Sequence, residues 1–318
     1  MRARRIKKRY LLLVLLATAF LVINAPGLFS LGYRLYYGSR VQSLPQALRF
    51  GPADRLLVLS PHPDDEALCC AGAMQQALKA GAQVYVVWFT NGDGFEWDAM
   101  LLGHTPRPGP QALRQLAATR QAEARAAARI LGVPEAHLFF LGYPDQGLAR
   151  LLREYRSRPY ISRYTALSWV PYGGNLTPGS LYTGENLERD FKRVLDRVQP
   201  TQVLAPSPQD AHPDHRAVAE LALQVLAARG ESERLRYWIV HGGLEWPLPK
   251  GLHPTLPLEP PPRGRGLEWT SLPLSQDEAT KKLQAIQAHH TQMRLLGRFM
   301  RAFVRQNELF STTPLPQH

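Results

Sequence analysis

The chain has 318 residues, 45% of them apolar, and a formal net charge of +12. That is enough for one large α/β domain with a targeting segment, or for two small domains. Half of the charge excess is gathered in Arg2, Arg4, Arg5, Lys7, Lys8 and Arg9. The remaining chain has no dense basic stripe, which argues against a nucleic-acid partner.

Residues 1–9 form the basic end. Tyr10 to Ile23 follows, free of charge and almost wholly apolar, and the apolar character continues more loosely to Leu31. A basic cluster ahead of an apolar stretch is a secretion or insertion signal. A spanning helix needs about 20 residues, and 10–31 can supply them. Ala17-Thr18-Ala19 has the form of a cleavage site but lies inside the apolar core, and cleavage after Ala25 would leave Pro26 first. The expectation is an uncleaved signal anchor over 10–31, with secretion after cleavage as the alternative. The positive-inside rule then puts residues 1–9 in the cytoplasm and the rest on the non-cytoplasmic side.

Residues 32–53, with Pro45, Gly51 and Pro52, read as a linker, and 54–318 as the globular domain. Within it the pattern predicts strands at 55–60, 83–90, 137–142, 201–205 and 237–241. Between them it predicts helices at 67–80, 111–131, 185–198 and 214–229. A last long helix is predicted from Gln276 to about Phe310, with Ser275 and Glu278 as a capping box. Strands alternating with helices predict a Rossmann-like, mostly parallel sheet with helices on both faces. Three long segments interrupt the alternation: 91–110, 143–184 and the proline-dense 244–273. The second holds Tyr155, Tyr160, Tyr164, Trp169, Tyr172 and Tyr182. Its aromatic rings suit either the wall of a sugar site or a surface loop pinned by its own side chains. The only cysteines, Cys69 and Cys70, are neighbours. Their Cα atoms are about 3.8 Å apart, closer than disulfides favour, so they read as two small buried helix residues.

Two corners carry the chemistry. Ser60-Pro61-His62-Pro63-Asp64-Asp65-Glu66 joins the first strand to the first helix of the domain, and Asp210-Ala211-His212-Pro213-Asp214-His215-Arg216 joins a later strand to its helix. Either alone could be a capped helix start, because Asp and Glu favour that position. In a parallel sheet, however, both corners fall on the same edge, where ligands bind. A catalytic zinc site commonly takes three ligands from His and carboxylates and leaves a position for water. His62, Asp65 and His215 can supply those three. Asp64 can serve as general base and His212 can face an oxyanion, while Glu66 supports the helix start.

Pro61-His62-Pro63-Asp64-Asp65-Glu66 closely resembles the (A/P)HPDDE motif of the PIG-L/LmbE-like de-N-acetylases, and His212-Pro213-Asp214-His215 resembles their second signature, HPDH. Lys281 to Gln292 is similar to a family segment of the form KxxAxxxHxSQ, and Thr90-Asn91-Gly92-Asp93 to a family TNGD turn. The resemblance implies a metal-dependent hydrolase removing an acetyl group from an N-acetylglucosamine-type sugar or glycoconjugate, with Zn2+ or another divalent ion such as Fe2+ as cofactor. It implies His62, Asp65 and His215 as metal ligands, Asp64 as base, and His212 on the oxyanion side, oriented by Asp214. Arg120 and Asp145 look like the family's substrate-contacting residues. Asp93 either bonds its own turn or lines the site. Several family members carry a tyrosine just before HPDH, where this chain has Pro208-Gln209-Asp210-Ala211. Two alternatives remain open: a zinc amidase or esterase for a non-sugar substrate, and a non-catalytic, membrane-tethered carbohydrate-binding protein. Nothing in the sequence bears on the oligomeric state.

Overall fold

A computed structural model of the chain describes residues 2–103, 107–243 and 245–315. The chain divides into two units, Met1–Ser43 and Leu44–His318. The first is a single helix, α1 (Arg2–Gln42). The expected anchor at 10–31 falls within it, but the side chains at most positions between 11 and 26 lie outside the described residues. Among the described residues, no helix is long and apolar enough to cross a membrane.

The second unit opens with β1 (Arg55–Ser60), α2 (Asp65–Lys79), β2 (Gln83–Thr90), α3 (Glu96–Gly103) and α4 (Pro110–Leu131). It continues with β3 (Leu138–Tyr143), α5 (Leu148–Arg153), α6 (Gly184–Val198), β4 (Gln202–Pro206), α7 (Pro213–Ala228) and β5 (Leu235–Trp238). It closes with β6 (Trp269–Pro273), α8 (Gln276–Ala288), α9 (His290–Arg301) and β7 (Asn307–Ser311). The seven strands form one mixed α/β sheet in the order β3-β2-β1-β4-β5-β7-β6. The first five are parallel, and β7 and β6 close the edge antiparallel. Successive strand residues point to opposite faces. Leu56 and Val58 of β1 therefore enter one apolar core, shared with α2, α8 and the end of α4, and Leu57 and Leu59 enter another, shared with α5, α6 and α7. Chain order reverses direction between β1 and β4. That is the switch point of a doubly wound sheet, where a crevice opens outside the carboxyl ends of the strands.

Several expectations are corrected. The long C-terminal helix breaks at His289, ends at Arg301 and gives way to β7. The cause is buried polar chemistry. Glu308 of β7 accepts from the backbone N–H groups of Gly72 (2.8 Å) and Ala73 (2.9 Å) and from Lys282 Nζ (2.7 Å). These bonds hold the segment extended against α2. The capping box at Ser275 and Glu278 is present. β6 lies at the end of the proline-dense segment 244–273, and α3 and α5 lie in the other two long segments. The strand placed at 237–241 runs instead from Leu235 to Trp238. Cys69 and Cys70 are buried in α2, but they are joined in a disulfide across their shared peptide bond. In the aromatic segment, Tyr160, Tyr172 and Tyr182 are buried in the second core and Tyr164 in a smaller one beside α4. The segment is pinned by its own rings, and none of these tyrosines lines the pocket described below.

Candidate active site

The carboxyl ends of β1 and β4 deliver the two His/Asp corners to one open pocket of about 300 Å³. At the β1 corner the backbone takes an uncommon path: Asp64 sits at φ 135°, where a side-chain-bearing residue is strained. Glu66 holds it there. Its Oε2 accepts from Asp64 N (3.0 Å) and from Trp88 Nε1 (2.9 Å), and its Oε1 lies 3.0 Å from His289 Nε2. Glu66 is wholly buried, so its role at the helix start agrees with the sequence reading. The cap itself comes neither from Asp64, which makes no side-chain cap bond, nor from Asp65. The Asp65 carboxylate instead accepts from His62 N (3.0 Å) and lies 3.2 Å from both His62 Nδ1 and His215 Nε2.

At the β4 corner the helix start is regular. His212 is the N-cap, its Nδ1 accepting from Asp214 N (3.2 Å), and Pro213 follows. Because Nδ1 accepts, the neutral ring carries its proton on Nε2. Burial, and then the neighbouring His62 and His215, lower the pKa of His212 to about 2, which keeps the ring neutral. The expected orientation of His212 by Asp214 runs through this backbone amide. The Asp214 carboxylate points elsewhere, accepting from Gln146 N (2.6 Å) and Leu148 N (3.1 Å) and lying 3.4 Å from His62 Nε2. Asp210 organises the corner. It accepts from His212 N (2.8 Å), Val240 N (2.9 Å) and His241 N (3.0 Å).

The charges are strongly interdependent. Burial raises the Asp64 carboxyl to about 7, even though Arg120 Nη2, 3.3 Å away, pulls it down. Burial opposes charge on His215, but Asp210 and Asp65 outweigh it and raise the ring to about 9. The same contest at His62 is won by Asp145, Asp214 and Asp65, which raise it well above its ordinary value.

Arg120 is buried, and Nη2 and Nη1 donate to the carbonyls of Pro63 (2.8 Å) and Gly92 (3.1 Å). It thus braces the first corner as well as facing Asp64. Gly92, at φ +71°, leaves room for the guanidinium, which a Cβ there would strike. Asp145 accepts from Gly94 N (3.0 Å) and lies 3.3 Å from His62 Nε2. Asp93 does not line the pocket. It holds the Asp145 loop, accepting from Asp145 N (2.9 Å) and Tyr172 Oη (2.8 Å).

Three sets of ligand atoms lie within 4.8 Å of one another among the described residues: His62, His212 and His215; Asp65, His215 and His241; and His62, Asp145 and Asp214. The three expected ligands all occur in these sets, divided among them. The donor set is right for a metal. Neither nitrogen of the buried His215 ring has an aligned hydrogen bond, although Asp65 and Asp210 lie 3.2 Å away. Two imidazoles and a carboxylate are the donors zinc favours. The sequence reading missed His241 as a pocket residue. It belongs to no motif, and its only signal was its place as the last residue of the strand predicted at 237–241, on the same sheet edge.

These features define a candidate metal site at the switch point of a doubly wound α/β sheet. The GlcNAc-PI de-N-acetylase (PIG-L) family model matches residues 57–226, more than half of the chain, and the protein belongs to that family. The chain is 27% identical over 187 residues to a probable N-acetyl-α-D-glucosaminyl L-malate deacetylase 2 of Bacillus anthracis, covering 58% of this chain and 65% of that protein. It is 32% identical over 182 residues to a 1D-myo-inositol 2-acetamido-2-deoxy-α-D-glucopyranoside deacetylase of Nakamurella multipartita, covering 54% of each. The chain thus spans between about half and two thirds of these relatives. A crystal structure of a deacetylase triple mutant from the teicoplanin biosynthetic pathway shares the fold. Its TM-score is 0.51 and its identity 19%, over 81% of this chain and 96% of that one.

Proposed function

We propose that this protein is a zinc-dependent N-deacetylase acting on an N-acetylglucosamine-type sugar or glycoconjugate. The observation that carries the reading is Asp65 Oδ2, 3.2 Å from a nitrogen of each of two histidines that come from different corners. The named activities of the relatives in Bacillus anthracis and Nakamurella multipartita support it. In this reading His62, Asp65 and His215 hold the ion. Bound there, zinc, or another divalent ion such as Fe2+, would supply the Lewis acidity that makes water nucleophilic near neutral pH.

Asp64 takes a proton from the attacking water, whose oxygen adds to the acetyl carbon. A carboxyl poised at about 7 suits that transfer near neutral pH. The amide oxygen gains negative charge as it becomes tetrahedral, and the Nε2–H of His212 donates to it. The C–N bond then breaks. Asp64 returns the proton to the leaving amine nitrogen, and the acetic acid formed gives its remaining proton to solvent and departs as acetate. Asp214 keeps its place at the helix start, presenting the backbone N–H that orients His212. Arg120 and Asp145 flank the pocket and contact the sugar.

The test is acetate release by purified, zinc-loaded protein across N-acetylated sugars, simple acetyl esters and acetylated amino acids. Release from the sugars is expected. Release only from the esters or amino acids would replace the sugar reading. We further propose that residues 10–31 anchor the chain in a membrane with the catalytic domain on the non-cytoplasmic side, supported by the apolar sequence behind six basic residues. Protease added to sealed cells with a permeable envelope should degrade the domain; complete protection would contradict that topology.

A further inference from the structure

Large apolar side chains are left in solvent around the pocket mouth. Trp97 and Leu101 of α3 are 66% and 45% exposed, and Leu295 and Leu296 of α9 are 44% and 36% exposed. Leu248 and Leu252 add to them from the loop between β5 and β6. The three segments adjoin. α3 packs against α9, and Gly251 N donates to the carbonyl of Arg298 on α9 (2.9 Å). Phe95, Leu296 and Phe299 carry this apolar surface into the pocket itself. Single exposed apolar residues are ordinary, but a contiguous group rimmed by polar residues marks an interaction surface.

Charge selects the partner. The exposed face of α9 sets Arg294 and Arg298 beside Leu295 and Leu296, and among the described residues no carboxylate pairs with either arginine. The sequence places the carboxylates Glu96 and Asp98 on α3 and Glu245 ahead of residues 248–252, where it acts on Lys250, whereas α9 has no acidic residue, so α9 is the cationic part of the rim. Arginine next to large apolar residues on one helix face is the pattern of an interfacial helix, whose apolar side enters the headgroup boundary while its cations meet anionic lipid.

We propose that the rim formed by α3, α9 and residues 248–252 docks onto an anionic phospholipid surface, with the pocket opening toward the lipid. The proposal rests on the reading above only in taking this pocket as the active site.

The experiment uses the full chain and reads the rim alone. A polarity-sensitive fluorophore is attached at Leu295→Cys, and in a separate protein at Glu233→Cys, an exposed position on the opposite edge of the sheet. Vesicles of equimolar phosphatidylglycerol and phosphatidylcholine should shift the Leu295→Cys emission to the blue and leave the Glu233→Cys emission unmoved. Adding Arg294→Glu and Arg298→Glu should remove most of the shift. No shift at Leu295→Cys, or an equal shift at Glu233→Cys, would overturn the docking. An equal shift with pure phosphatidylcholine would overturn the anionic surface as the partner. A shift that grows with protein concentration in the absence of lipid would assign the rim to a second copy of the chain. Because the signal does not depend on turnover, a missing deacetylase activity would be seen separately and would count against the catalytic reading alone.

Discussion

At the end of β1, Asp64 sits at φ 135° with no side-chain cap. At the end of β4, His212 sits at φ −76° and caps its helix in the ordinary way, with Pro213 following. Both corners reach one pocket, the first with His62, Asp64 and Asp65 and the second with His212, and each is held by a buried carboxylate behind it: Glu66 in the first, Asp210 in the second. The first corner maintains a backbone conformation that costs about 1–3 kcal/mol; the second uses a conformation its residues prefer. The strained corner carries the proposed base, which must point past its neighbours at the reacting water. The relaxed corner carries the proposed ligand His215 and the proposed donor His212, which a helix start can aim without distortion. The carboxylates differ in reach as well. Glu66 ties Asp64 to Trp88 and His289, whereas Asp210 ties His212 to the backbone after β5.

The largest expected effect tests what the corners share. His215→Ala should remove the ion and with it the activity, measured by elemental analysis and acetate release; full metal content in that variant would break the pairing of the corners. Next comes Glu66→Gln. One carboxylate oxygen, Oε2, accepts from both Asp64 N and Trp88 Nε1; a neutral amide oxygen in its place accepts more weakly than a charged one, so the strained turn should relax. Misplacing a catalytic group by about 1 Å costs about 10²-fold in rate, and that fall in kcat is expected with zinc content retained. Asp210→Asn should act on the other side of the comparison. It leaves the helix start in place and weakens support for His215, lowering metal affinity by about 10–100-fold. Competition with a chelator measures it, and kcat at saturating zinc should change less than in Glu66→Gln. The reverse order of those two kcat values would mean that the relaxed corner, not the strained one, positions the base.

Much of this arrangement was legible in the chain. A continuous leucine-rich apolar run defines β1 and a β-branched and aromatic run defines β2 to the residue, because a parallel strand buried on both faces has no polar alternation to blur its limits. The two His/Asp corners follow from their place between such strands and the next helices. What was hidden depends on distant partners. β7 reads as helix until Glu308 is seen bonded to Lys282 and the backbone of α2. Asp210 stands in plain view beside HPDH, yet its task is set by the backbone of Val240 and His241, thirty residues on. His241 belongs to no motif and reaches the pocket only because β5 lies beside β4. The strain at Asp64 is a property of the folded corner, and no residue type announces it.

The central claim is that Asp64, held in its strained turn, moves the proton while its neighbours hold the ion. Asp64→Ala tests this most directly, with zinc stoichiometry and acetate release measured on the same preparation. Zinc content equal to that of the wild type, with turnover reduced by about 10²–10⁴-fold as for the loss of a general base, is the predicted result. Full turnover with zinc bound would contradict the claim.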